Sequence, residues 1–449
     1  MRQVSVPAKP AASATPWTLV GGVGALLLFG ALFGVPAAVS VAALFIQAAF
    51  VVYFLRHLSF AMAAFRSAPR DLAAPLVETD YQPSVSVVVA CKNESAVVER
   101  LVESLTSLDY PPDRLQLIVV DDGSTDGTGQ LLDRLAEQRP IHVLHRPLGA
   151  GGGKSGALNA GAGFATGEII IVFDADHHPH PDVVRRLVRH FEDPTVGAAQ
   201  GRCEISNTGE SPLALLIGID YFAGYLVNEY GRQAMFGLPA YGGANCAVRA
   251  ATLRAIGGWN PTSVTEDTDL TIRVLLSGER VRFDVTAVDE EEGVTTVSRY
   301  WRQRYRWARG HQQVWRDYRR AIWRSPRLSR MEKVEATLFL LSFHLPVLSA
   351  LGLVLAFSWL GGLARPPFQV DLFVLWMLLF LGPLVELGGG LLIKQADRRW
   401  AKALFYFLPL FFVSIALCTK AWVDGLLGRE YSWVKTKRSA ETLAEPVSP

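Results

Sequence analysis

Apolar residues follow two patterns along this chain. Toward both ends they form long unbroken blocks. In the middle they form short blocks separated by stretches of helical spacing. Residues 17–55 contain no Asp, Glu, Lys or Arg. As one helix those 39 residues would run roughly 58 Å, about twice the hydrocarbon thickness of a bilayer. The pattern predicts a transmembrane hairpin over 17–58, broken near Gly34 and Pro36. A cleaved signal peptide is the competing reading of the first block, and the second block directly behind it favours an anchor. Residues 336–364 also lack these charges, and 372–393 carry only Glu386. Residues 404–419 are apolar, with Lys420 and Asp424 close behind.

Basic residues set the expected orientation, because Lys and Arg gather on the cytoplasmic side. Arg2 and Lys9 precede the hairpin, and Arg56, Arg66 and Arg70 follow it. Residues 365–371 hold one basic residue, whereas Lys394, Arg398, Arg399 and Lys402 crowd the next loop. Both hairpin ends and the tail 429–449 are therefore expected in the cytoplasm. Residues 336–364 and 372–393 read as an out-and-back pair. Residues 404–424 have such charge at both ends, which reads as re-entrant or interfacial. That gives four spans, with a fifth left open in the region 336–428. Residues 1–16 and 440–449 read as disordered tails.

The middle, 80–298, alternates strands and helices. Runs at 84–90 (SVSVVVA), 115–120 (LQLIVV), 141–144 and 168–173 (EIIIVF), uncharged apart from the leading Glu168, read as strands, with helical spacing at 97–108 and 129–136. Uncharged strands between helices indicate a parallel sheet covered on both faces. Ligands bind such sheets beyond the carboxyl ends of the strands. Net charge is +2, which gives no nucleic-acid signal. The four cysteines form no C-x-x-C pair, so neither a zinc site nor a disulfide framework is expected.

Two strands end in acid. One runs into Asp121-Asp122-Gly123-Ser124, the other into Asp174-Ala175-Asp176-His177. One aspartate at a strand end can be a turn former. Asp-x-Asp on extended backbone puts both carboxylates on one side, which suits a hard divalent cation shared with phosphate oxygens. His177 and His178 read as solvent-exposed rather than as further ligands. Thr265-Glu266-Asp267-Thr268-Asp269 opens a helix, with helix capping as the plain alternative. Gln303, Arg306 and Trp307 share one helical face. The plain alternative for 299–335 is a basic amphipathic segment lying on the membrane surface. The stretch 145–161 (HRPLGAGGGKSGALNAG) suggests a P-loop, but Leu148 stands where the leading glycine belongs and no obvious strand leads in. Glu386, an ionisable residue in an apolar run, either lines a path for product or sits at the interface.

The ordered set Asp-Asp-Gly-Ser, Asp-x-Asp, Thr-Glu-Asp and Gln-x-x-Arg-Trp resembles the membrane-bound family-2 inverting glycosyltransferases, which include cellulose, hyaluronan, chitin and poly-N-acetylglucosamine synthases. The resemblance implies an α/β, GT-A-like nucleotide-sugar-binding domain, with a mixed, mainly parallel sheet, inserted between transmembrane helices. It implies that Ala90, Lys92 and Glu94 receive the nucleotide and that Asp122 contacts the uracil base. Asp174 and Asp176 would hold the sugar diphosphate through Mg2+ or Mn2+. Asp267, with Glu266 beside it, matches the catalytic acid motif, Asp267 as the base. Gln303, Arg306 and Trp307 match the motif beside the diphosphate and the acceptor sugar. Lys154 matches a loop bordering the donor, and Tyr241 and Gly243 lie in the loop beneath the acceptor.

The implied activity is transfer of a sugar from a UDP-sugar to a growing polysaccharide with inversion. The alternative is a single addition to a lipid carrier or glycolipid. Implied partners are the donor, a saccharide or glycolipid acceptor, membrane lipid and export subunits. A multi-pass plasma-membrane enzyme with a cytoplasmic catalytic domain is expected. The residues after 425 are too few for the cyclic-di-nucleotide-binding barrel that cellulose synthases add.

Overall fold

A computed structural model describes residues 30–32, 34–77, 79–360 and 372–429. The expected disordered N-terminus, residues 17–29 of the hairpin, the loop 365–371 and the tail 430–449 lie outside the described residues. Helix α1 (Val35–Leu72) begins directly after Gly34 with Pro36 in its first turn. The helix runs 14 residues past the expected end at 58, because Phe60, Ala61, Ala64 and Ala68 form one buried stripe packed on the domain.

The domain follows as β1 (Val85–Cys91), α2 (Val98–Thr106), β2 (Leu115–Asp121), α3 (Thr128–Ala136), β3 (Ile141–His145), α4 (Gly153–Phe164), β4 (Ile169–Asp174), β5 (His178–Pro179), α5 (Val183–Val188) and β6 (Val196–Ile205). Next come α6 (Pro212–Phe222), a π-helical segment (Ala223–Glu229), α7 (Tyr230–Phe236), β7 (Cys246–Arg249), α8 (Ala250–Ala255), α9 (Glu266–Ser277) and β8 (Arg280–Glu291). The eight strands lie in the order β3-β2-β1-β4-β7-β6-β8-β5. β3, β2, β1 and β4 are parallel, β7 runs antiparallel to both its neighbours, and β6 and β8 are parallel. The sheet is therefore mixed and mainly parallel, as expected. Val87, Val89, Val119 and Ile171 pack into one buried face, and Val88, Ile118, Val120 and Val172 into the other. Burial on both faces is why these runs contain no charge.

The C-terminal part is helical: α10 (Val297–Arg324), α11 (Arg330–Leu341), α12 (Leu345–Leu360), α13 (Leu372–Lys394), α14 (Arg398–Ala403) and α15 (Phe407–Leu426). By length and composition three stretches of the described residues are apolar enough to cross a membrane: Val35–Leu72, Arg330–Phe357 and Arg398–Leu426. The last includes the segment expected to be re-entrant or interfacial. α13, 23 residues long, packs beside α1.

Candidate active site

Parallel register brings four strand ends to one edge. Ala90 stands opposite Asp174, Cys91 opposite Asp121, and Asp121 opposite His145. Asp121 is structural. It accepts from the Ser124 N–H at 3.0 Å and faces His145 Nδ1 at 3.0 Å. Burial pushes its carboxyl up, and the bonds from Ser124 and His145 outweigh that and hold it below the usual carboxylate range. His145 rises above its ordinary value through its bonds to Asp121 and Asp133. Asp122, 6 % exposed, turns into the cleft instead. There it meets the Arg146 guanidinium and, at 3.4 Å, the Lys92 ammonium. Arg146 escaped the sequence reading, although it follows a strand end in the same row.

The glycine stretch does link a strand to a helix: β3 feeds it and α4 starts at Gly153. Lys154, the second residue of α4, lies 2.5 Å from Asp174 Oδ1 and 3.4 Å from Glu266 Oε1, and donates to the Gly243 carbonyl at 3.1 Å. Burial alone would lower the Lys154 pKa, but Asp174 and Glu266 raise it, so the ammonium stays charged. Burial raises the Glu266 carboxyl, Lys154 opposes that, and the direction is upward. Asp174 and Asp176 both face the cleft while Ala175 between them enters the core. The strand ends at Asp174, and a turn closed by the His177 N–H on the Asp174 carbonyl, not the expected extended backbone, brings Asp176 to the cleft. Their oxygens are the hard donors that Mg2+ or Mn2+ takes, and the pair fits such an ion at the oxygens that Lys154 does not hold.

His177 is not solvent-exposed as expected. It is 1 % exposed, with Nδ1 2.5 Å from Asp289 Oδ2 and Nε2 2.8 Å from Glu291 Oε2. His178 is half-buried, 3.3 Å from the Ser104 hydroxyl. Among the described residues His177, Cys203 and Asp289 form the one cluster of three metal-ligating side chains, but both ring nitrogens are already held by carboxylates. Its evident role is to tie the Asp-x-Asp turn to β8. The acidic run at 289–292 was the available signal, but its partner lies over a hundred residues earlier in the chain.

The acids of α9 divide. Asp269 pairs with Arg273 at 2.6 Å and accepts from the Tyr318 hydroxyl at 2.9 Å, a structural role. Asp267 lines the cleft, and its Oδ1 accepts from the Thr268 N–H at 2.5 Å. Gly243 (φ +83°) leaves it room, since a Cβ there would come 3.0 Å from Asp267 Oδ2. Tyr241 does not reach the cleft. Its ring lies in the core at 1 % exposure, and its hydroxyl makes no hydrogen bond. α10 carries Gln303, Arg306 and Trp307 on the cleft wall, with the Arg304 guanidinium 4.3 Å from the Trp307 ring centre. Gly310 of α10 touches Thr265, the residue before Glu266; a Cβ on it would lie 2.2 Å from that side chain. The first half of α10 is thus packed rather than spread on a surface. Its last turns do expose Arg320, Trp323 and Arg324.

One cavity of about 940 Å³ joins these groups. Ala90, Lys92 and Glu94 border it at β1. It continues between α1, α12, α13 and α15, where Phe50, Phe54, Leu345, Pro346 and Phe411 line it.

The model of glycosyl transferase family 2 matches residues 86–256. A beta-monoglucosyldiacylglycerol synthase of Synechocystis is 39 % identical over 307 residues, 67 % of this chain and 63 % of that protein. The chain thus spans less than two thirds of that relative. A probable glycosyltransferase of Bacillus subtilis, YdaM, is 31 % identical over 378 residues, 79 % of this chain and 87 % of its own. The solved mannosyltransferase PcManGT of Pyrobaculum calidifontis, in complex with GDP-Man and Mn2+, shares the fold (TM-score 0.50, 21 % identity, 86 % of this chain and 100 % of that one). With cleft, sheet order and relatives in agreement, the chain belongs to glycosyltransferase family 2.

Proposed function

We propose that this protein transfers a hexosyl unit from a UDP-sugar to a membrane lipid, with inversion, at the inner face of the membrane. The observation that carries this reading is the single cavity that runs from the strand ends into an aromatic and aliphatic chamber between the helices. Its volume lies at the top of the roughly 300–1,000 Å³ range of small-molecule sites. That is room for a donor and the head of an acceptor together. The diacylglycerol named for the Synechocystis relative is an acceptor of this kind. Polymer extension, the reading the motifs suggest first, uses the same catalytic groups and would add export partners.

In this reading Asp267 takes the proton from the acceptor hydroxyl as its oxygen bonds the anomeric carbon from the face opposite the donor diphosphate. The bond from that carbon to the diphosphate breaks, and UDP leaves with the electron pair. Lys154 and Arg306 supply positive charge where the leaving group gains negative charge. A divalent cation held by Asp174 and Asp176 would add to that charge. Trp307 offers a flat face to the sugar, and Asp122 with Arg146 and Lys92 offers the polar edge a base requires.

The test is UDP release by the detergent-purified protein against a panel of nucleotide sugars, with Mg2+, Mn2+ or EDTA and with a diacyl lipid alcohol. One glycolipid product is expected. Asp267→Asn should abolish turnover while donor binding persists. A ladder of oligosaccharides would replace the lipid reading by the polymer one, and no UDP release with any donor would end both.

A further inference from the structure

Glu386 occupies an apolar run where an ionisable side chain is costly. In the structure it pairs with His57 of α1, Oε1 to Nδ1, and both line the cavity that holds Asp267. Their side chains are 14 % and 15 % exposed. Among the described residues the two facing atoms, His57 Nδ1 and Glu386 Oε1, are buried and have no hydrogen-bond partner beyond this ion pair. Phe50, Phe54 and His57 are spaced to lie along one face of α1, so an apolar wall leads to a polar pair.

Several other polar groups of this chamber are paired, while Asn228 Oδ1 meets no partner among the described residues. The Arg56 guanidinium donates to both Glu335 oxygens, at 2.9 and 2.6 Å. Arg232 donates to Glu335 at 3.0 Å and to Glu229 at 3.1 Å. Two cations thus face two anions, so the groups around Arg56 and Arg232 carry no surplus positive charge. Tyr53 donates to the Leu338 carbonyl, Ser342 to Phe339 and Ser349 to Leu345. The Ser414 hydroxyl meets Leu410 and Tyr300.

We propose that His57 and Glu386 read the head of the acceptor, and that this head is uncharged and hydroxylated. The imidazole donates to a head-group oxygen and the carboxylate accepts from a hydroxyl, while the apolar wall takes the tails. The substrate class is therefore a neutral glycerolipid alcohol, bare or already bearing one sugar, rather than a polyprenyl phosphate. A phosphate there would be desolvated beside the Glu386 carboxylate, a like charge. The inference rests on the lipid-acceptor reading and narrows it.

The experiment compares wild type, Glu386→Gln and His57→Gln with dioleoylglycerol and with undecaprenyl phosphate as acceptors, in mixed micelles. Each variant should raise the KM for dioleoylglycerol about tenfold, the worth of one hydrogen bond to the head. The Kd for the UDP-sugar and the kcat at saturating lipid should stay within about threefold of wild type, which also certifies the fold. Undecaprenyl phosphate should be a poor acceptor. The inference is overturned if both variants keep the wild-type KM, or if undecaprenyl phosphate is preferred. If the wild type glycosylates neither lipid and elongates a saccharide, the lipid reading itself has failed. If it glycosylates dioleoylglycerol and the variants match it, only this inference has failed.

Discussion

Replacing Gly310 by alanine sets two known effects against each other. Gly310 lies within α10, where alanine is the better helix former by roughly 0.5–1 kcal/mol. If helix propensity decided the outcome, Gly310→Ala would stabilise the protein. Its added methyl would instead lie 2.2 Å from the Thr265 Oγ1 and Cγ2 atoms. Ordinary contact begins at 3.4 Å, so α10 and the start of α9 must part by about 1.2 Å. Overpacking of that kind costs about 1–3 kcal/mol, and the net effect is a loss of up to about 2 kcal/mol. The larger consequence is catalytic. Thr265 stands two residues before Asp267, and Gly310 three residues after Trp307. A misplacement near 1 Å costs on the order of a hundredfold in rate. The assay is kcat for UDP release, with donor Kd and Tm measured on the same preparation. We expect kcat down about a hundredfold, Tm down by a few degrees and donor Kd little changed. A kcat within twofold of wild type, or a raised Tm, would refute the claim that this contact sets the position of Asp267.

Three further outcomes follow from described contacts. Lys154→Met strips Asp174 and Glu266 of their shared counter-charge, so donor Kd should weaken by about 10–100-fold and Tm should fall, read by calorimetry on one sample. Tyr241→Phe removes a buried hydroxyl that bonds to nothing, so Tm should hold or rise and acceptor KM should stay within about twofold; a large rise in KM would restore Tyr241 to the acceptor site. The raised His145 pKa adds stability that is full below 6.5 and lost as pH climbs through its higher folded value. The lowered Asp121 pKa adds stability present above 3.8 and lost as pH drops through its lower folded value. His145→Gln should therefore lower Tm more near pH 5.5 than near pH 9.

The parallel half of the sheet was readable because burial on both faces excludes charge, so β1, β2 and β4 stand out as uncharged runs. The second half was not. β6 (VGAAQGRCEI) is built on small residues, with Gln200 and Arg202 buried in bonds to backbone carbonyls. β8 (RVRFDVTAVDEE) is acidic where it reaches His177. Such strands show their partners and not their period. Asp174 and Asp176, two residues apart, were readable as neighbours at one strand end, and both line the cleft. His57 could not, because its meaning depends on a glutamate more than three hundred residues away. Tyr241 was misjudged for a related reason: a loop can border a site through its backbone while its largest side chain points inward.

The π-helical turn at Ala223–Glu229 has an implication for reading relatives of this protein. A π turn holds one residue more than the α winding around it. Deleting a single residue here would restore regular winding within the turn and leave the helix beyond it close to its present phase. Arg232 would keep its place beside Glu335, while Asn228, inside the turn, would leave the chamber wall. Among related chains, a one-residue gap at this point therefore marks a change of chamber shape, even where every motif around the aspartates is identical. Sorting relatives by that gap would group them by the shape of this chamber.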